Sequence, residues 1–114
     1  MRTLSWVKTS DNTWCDFEKV SLEKLNERGV YLIWEAGAVP KWVRVGQGDI
    51  KECILAHRND AEILKYSSTR LLVTWAEVPA EEIEGVEAYL VDKCSPLVGE
   101  SFPDRVPIPV NMPH

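Results

Sequence analysis

The chain has 114 residues, 45% of them apolar and 27% charged, with a formal net charge of -5. That is the size of one soluble globular domain with a real core and no room for a second; the acidic balance disfavours a non-specific nucleic-acid coat but leaves a local basic face open. No run approaches the roughly 18 apolar residues of a membrane span, the N-terminus MRTLSWVKTSDNTW lacks a secretory layout, and Cys15, Cys53 and Cys94 are scattered with no CxxC, so a cytoplasmic protein with reduced thiols and no membrane partner is expected.

Residues 1–20 carry Trp6, Val7, Trp14, Phe17 and Val20 without a clear period. SLEKLNERG then predicts a short helix with Ser21 as N-cap, Glu23 in the first turn and Gly29 as its stop, although Lys24 stands where a capping box wants an acid or amide. GVYLIWE and KWVRVG, joined by AGAVP, read as a β-hairpin, and the first run is apolar on both faces, as a central strand is. After Gly46 and Gly48 the pattern turns helical in DIKECILAHRNDAEIL, where Ile50, Cys53, Ile54 and His57 share a face and Asp49 caps the start, so the Gly corner reads as a strand-to-helix junction. A third strand, RLLVTWAEV, ends at Pro79, and PAEEIEGVEAYLVDKCSP has acids in its first turn, Lys93 near its end and Pro96 beyond, all marks of a helix. The Pro-rich SPLVGESFPDRVPIPVNMP reads as a tail laid over the domain. This order predicts an α+β sandwich: one domain over 1–114 with its core at about 28–99, and a small, mainly antiparallel sheet covered by helices.

On the last helix Ile83, Val86, Leu90, Val91 and Cys94 define an apolar arc, and Glu87 falls roughly 40° from its centre. A carboxylate there needs a cation, a metal ion or several donors, or else it reaches past the flank to water. Alternation puts Tyr31, Ile33 and Glu35 on one face of the first strand, where a Tyr is more often a core residue than a catalytic one. Arg44, read as sharing a face with Trp42 and Gly46, either snorkels outward or contacts a phosphate near the Gly corner, whose backbone amides from Gly46 to Asp49 could hold an anion. Cys53 and His57 are four apart, a spacing that can bind zinc but that lacks two further convincing ligands. No GxSxG, P-loop, dinucleotide fingerprint or HExxH is present.

GVY at Gly29 to Tyr31, VRVGQG at Val43 to Gly48, the DIKECILAHR helix, a following strand and EAYLVDKCSP resemble, in order and spacing, the GIY-YIG nuclease domain across roughly residues 28 to 99. The resemblance implies a metal-dependent endonuclease that hydrolyses phosphodiester bonds, with DNA as its expected partner. It assigns Tyr31 as active-site Tyr and general base, Glu87 as ligand of a single Mg or Mn, and His57 as the His that follows the family's Arg; Gly46, Gly48 and Arg58 would contact phosphate. The chain departs from the pattern at three positions: Arg44 replaces the second-motif Tyr, Cys53 replaces the catalytic Arg, and Gly99 stands for the family's Asn, for which Asn111 is a substitute from the tail. Losing a cation that stabilises phosphate charge typically costs about 10²–10³ in rate. Three readings therefore stand: an endonuclease with weakened activity, a degenerate module that keeps the fold to bind nucleic acid or protein, and self-association through an exposed patch among Trp6, Trp14, Trp34, Trp42 and Trp75.

Overall fold

The computed structural model describes residues 2–37, 41–67, 70–99 and 105–113. Two strands, β2 (Arg28–Glu35) and β3 (Lys41–Asp49), pair antiparallel as the expected hairpin, and part of their connection, 38–40, lies outside the described residues. A third long strand, β4 (Leu71–Glu77), flanks β2 on its other side, and the two-residue β1 (Cys15–Asp16) pairs with β4. The antiparallel sheet has the order β1-β4-β2-β3, so β2 is interior, as its two apolar faces require; Val30 through Trp34 are all buried. The helices are α1 (Ile50–His57), the single-turn α2 (Ala61–Leu64) and α3 (Ile83–Cys94), the last entered through a 3-10 turn at Ala80–Glu82. The fold is α+β, and no helix of the described residues is long and apolar enough to cross a membrane.

The two-residue period of β2 divides the interior. Val30, Leu32 and Trp34 share one core with Val45, Ile83, Val86 and Leu90, while Tyr31 and Ile33 share the other with Val43, Ile50, Ile54 and Phe17. At about 1.5–3 kcal/mol for each large apolar side chain removed from water, both faces contribute to holding the sheet.

Four features differ from the sequence reading. Residues 21–27 form a turn, with Leu25 N donating to Leu22 O at 3.1 Å, and no helix: of that segment only Leu22 is fully buried, too little to offset the cost of nucleating so short a helix. Gly29 lies within β2 and is not a helix stop; a Cβ there would fall 2.0 Å from Ala76 O, so the neighbouring strand's backbone demands glycine. The strand-to-helix junction and the Asp49 cap are as expected, but the junction lies after the glycines: β3 runs through both, Gly46 opposite Tyr31 and Gly48 opposite Gly29, and the helix starts immediately after Asp49. Finally, a β-bulge after Ile33 makes Val43 the extra residue: Trp42 pairs with Trp34 on the α3 side, and Arg44 pairs with Ile33, so Arg44 and Trp42 do not share a face.

The expected helix over 50–64 is also interrupted. Asn59 donates to Leu55 O at 3.3 Å and Asp60 accepts from Glu62 N at 2.9 Å, local bonds that stop α1 and start α2. None of the tryptophans is exposed: Trp34 and Trp75 are buried, Trp6, Trp14 and Trp42 half-buried, and Trp14 and Trp42 flank Trp34 at centroid distances of 5.5 and 5.6 Å. Among the described residues the exposed large apolar side chains are Leu55, Leu97 and Val106, so the expected tryptophan patch is not a surface feature.

The tail lies over the domain as expected, with 100–104 outside the described residues. Leu97 N and Val98 N donate to Trp42 O and Val43 O, covering the open edge of β3, and Ile108 N donates to Gly85 O on α3. Val110 is buried and bridges Arg2, while Arg2 pairs with Glu82 and Arg105 with Glu84. The N-terminal segment covers the opposite edge, where Val7 N donates to Trp75 O and Phe17 N to Leu71 O. These bonds cover part of each edge and so reduce the unpaired backbone that invites aggregation.

Candidate functional site

Four elements bring their polar residues to the β3 edge of the sheet. Tyr31 projects from β2 on the α1 side and lies across Gly46 of β3, where a Cβ would sit 2.1 Å from the Tyr31 hydroxyl. The phenol reaches its position only because residue 46 has no side chain. Its hydroxyl meets Nε2 of His57, from the last turn of α1, at 2.5 Å. Cys53, one turn earlier on the same helix, directs its Sγ to Gln47 O at 3.6 Å and lies near enough to Tyr31 for the two groups to influence each other's titration.

Arg44 supplies the charge at the centre. The bulge at Val43 swings it toward the α1 side, its Nη1 donates to Val98 O at 3.4 Å, and its guanidinium acts on Tyr31, Cys53, His57 and Glu87. Glu87 comes from α3, is 5% exposed, and accepts no hydrogen bond from the described residues. Residues as far apart in sequence as Tyr31 and Glu87 therefore feel one cation.

Burial governs how these groups titrate. It pushes the Tyr31 hydroxyl well above the usual phenol range, with the Cys53 thiol adding to the rise and Arg44 opposing it. Burial lowers His57, and Arg44 lowers it further, while Asp60 works in the other direction, so the imidazole is neutral at pH 7. The Glu87 carboxyl is lifted to about 7 by burial, against the pull of Arg44 and with a small push from Glu84. Burial likewise raises Cys53, which makes it a poor thiolate nucleophile.

The cluster thus contains a hydrogen-bonded phenol–imidazole pair, a guanidinium, and a buried carboxylate able to take a proton or a cation near neutral pH. Among the described residues no group of three or more His, Cys, Asp or Glu could hold a metal ion, so Cys53 and His57 gain no further zinc ligands there. Glu87 is the buried hard oxygen donor of the cluster, the kind of ligand suited to a Mg²⁺-type ion that keeps most of its waters and takes one carboxylate plus substrate oxygens.

The remaining candidates are engaged elsewhere. Arg58 donates from Nε to Phe17 O at 2.9 Å and from Nη2 to Val20 O at 2.7 Å, fastening the N-terminal segment to α1. Asn111 accepts from Leu4 N at 2.6 Å, donates to Leu4 O at 3.0 Å, and receives Trp6 Nε1 on its carbonyl at 2.9 Å, so its amide clasps the N-terminus. Gly46 and Gly48 are in the β2–β3 ladder, and Asp49 caps α1 by accepting from Glu52 N at 3.1 Å, which places a carboxylate where an anion was expected. Gly99, at φ 134°, follows the carbonyl that Arg44 holds.

One residue of the site escaped the sequence reading. Asp60 Oδ2 faces His57 Nδ1 at 3.9 Å. Its signal, an Asp three residues after a His and just before AEIL, was hidden by reading 50–64 as one continuous helical pattern. No family model, curated protein or solved structure matches the chain.

Proposed function

We propose that the chain is a GIY-YIG-like, divalent-metal-dependent endonuclease that hydrolyses DNA phosphodiester bonds. The observation that supports it is the Tyr31–His57 pair at 2.5 Å, from β2 and α1, which together with Glu87 of α3 lies within the electrostatic reach of the Arg44 guanidinium on β3. In this reading Glu87 is the protein ligand of Mg²⁺ or Mn²⁺, an ion that when bound supplies Lewis-acid stabilisation of phosphate charge. The chain's own residues do the rest: Tyr31 orients the attacking water, His57 holds the phenol by the 2.5 Å bond, and Arg44 offsets negative charge on the phosphate. Activity is weak, because Cys53 carries no charge where the family has Arg.

A second reading, a module that binds nucleic acid or protein without cleaving, is favoured by one observation. Tyr31 is 2% exposed and its hydroxyl is bonded inward. Cleavage of supercoiled plasmid and branched DNA in Mg²⁺ or Mn²⁺ separates the two, with wild type, Glu87→Ala and Cys53→Arg side by side. Cleavage that Glu87→Ala abolishes and Cys53→Arg increases by about 10²-fold or more is the expected result. Silence in all three proteins, with retained oligonucleotide binding, refutes the endonuclease and leaves the module.

A further inference from the structure

His57 has a hydrogen-bond partner at one ring nitrogen and a carboxylate facing the other beyond hydrogen-bond distance. Nε2 meets the Tyr31 hydroxyl at 2.5 Å, and Nδ1 faces Asp60 Oδ2 at 3.9 Å across the turn between α1 and α2. Asp60 is itself held from behind, because its Oδ1 accepts from Glu62 N at 2.9 Å as the cap of α2, which leaves Oδ2 to face the ring. The interruption of the helical pattern at 58–60 is what turns this carboxylate toward the imidazole.

From this geometry we infer that Asp60 is a positioning residue for the reaction proposed above: its Oδ2 holds the proton of neutral His57 on Nδ1, so that Nε2 presents a lone pair to Tyr31 and the phenol is the donor. A neutral imidazole carries one N–H, and the partner of one nitrogen decides what the other can do. The opposite tautomer would aim the Nδ1 lone pair at a carboxylate, lone pair against negative charge. The Nδ1–H tautomer suits both neighbours, keeping the Nε2 hydrogen bond and turning the positive end of the N–H dipole toward the Asp60 carboxylate at 3.9 Å. The groups that face His57 are Tyr31 from β2, Arg44 from β3 and Asp60 from the α1–α2 turn; of these only Asp60 stabilises an imidazolium.

The consequence for chemistry is a defined direction of proton movement. As the attacking water gives a proton to the phenolic oxygen, the original phenol proton passes to Nε2. Tyr31 is regenerated, His57 becomes an imidazolium beside Asp60, the new hydroxide bonds to phosphorus, and the bond to the leaving oxygen breaks with its electron pair. The imidazolium then returns its proton to solvent or to that oxygen. Asp60 touches none of the reacting atoms.

The inference takes its purpose from the nuclease reading, while its test reads the imidazole directly. The full chain is labelled with ¹⁵N-histidine, His114→Gln removes the only other imidazole, and ring nitrogen shifts report the tautomer at neutral pH. Wild type is expected to show Nδ1–H. Asp60→Ser keeps a cap for α2 but is too short to reach the ring, so it is expected to give a mixture and to lower the pH at which His57 protonates. Asp60→Asn, which keeps both cap and carbonyl, is expected to restore the single tautomer without restoring the charge.

In the cleavage assay Asp60→Ser is expected to lower kcat roughly 10- to 100-fold with KM little changed, the order of loss seen when the outer partner of a metal-bound histidine is removed. An Nε2–H tautomer in wild type, or an unchanged tautomer in folded Asp60→Ser, overturns the inference. Should the Ser variant not fold, an unshifted His57 titration in Asp60→Asn overturns it instead. A tautomer that responds as expected in a protein that cleaves nothing sustains Asp60 as a positioning residue and refutes the nuclease reading alone.

Discussion

Replacing Glu87 by Gln isolates what a buried carboxylate does to this fold. The side chain is 5% exposed, burial lifts its titration from 4.5 to about 7, and Gln has nearly the same shape without the charge. Below the unfolded value of 4.5 the acid is protonated in both states and no penalty exists. Between 4.5 and about 7 the unfolded chain ionises first, so wild-type stability falls as pH rises; above about 7 both states are ionised and the penalty is complete. At about 1.4 kcal/mol per pH unit of displacement, the full penalty is about 3 kcal/mol. Urea unfolding in the presence of a chelator, followed by tryptophan fluorescence from about pH 4 to about pH 9, measures it, provided the slope against urea is the same for both proteins. Glu87→Gln should match wild type at the acid end and exceed it by about 2–3 kcal/mol at the alkaline end. Millimolar Mg²⁺ should then recover part of the difference in wild type only, since an ion that binds the folded carboxylate stabilises that state. A difference that does not vary with pH, or a variant less stable than wild type above pH 7, would refute the assignment of Glu87 as a carboxylate whose burial outweighs the pull of Arg44.

The close approach at Gly46 predicts that Gly46→Ala displaces the Tyr31 ring and destabilises the fold by about 1–3 kcal/mol, with most of that loss absent when Tyr31→Ala is already present; equal losses in both backgrounds would contradict it. Asn111→Ala breaks two bonds to Leu4, so it should cost about 1–2 kcal/mol and raise amide exchange at Leu4, while leaving the fluorescence of the Trp14–Trp34–Trp42 group unchanged. Arg58→Met leaves the carbonyls of Phe17 and Val20 without their donor; a loss of about 1–3 kcal/mol with unchanged DNA affinity marks a structural clamp, and a selective loss of affinity would return Arg58 to the phosphate.

The hairpin and the last helix were legible because each carries a period that one segment can display alone: Val30, Leu32 and Trp34 alternate against Tyr31 and Ile33, and Ile83, Val86 and Leu90 trace one helical face around Glu87. What could not be read came from neighbours remote in sequence. Gly29 is needed because of Ala76 O and Gly46 because of Tyr31, yet in the sequence each looks like a stop or a corner. The bulge at Val43 carries no glycine or proline to announce it, so Arg44 was placed on the face of Trp42. Arg58 and Asn111 look like surface donors available to a ligand, and their partners are backbone atoms 38 to 107 residues away. Asp60 belonged to a turn that a continuous apolar pattern concealed.

The clasp between Leu4 and Asn111 also has a bearing on synthesis. Leu4 is made before the segment that closes over it, because that segment, with Ile108 on Gly85 and Val110 beside Arg2, follows about a hundred residues later in the chain. Until then the α3 side of the sheet is open on the nascent chain, and ribosome-bound intermediates halted before residue 108 should be protease-sensitive at the N-terminal segment even though β2, β3 and β4 are complete.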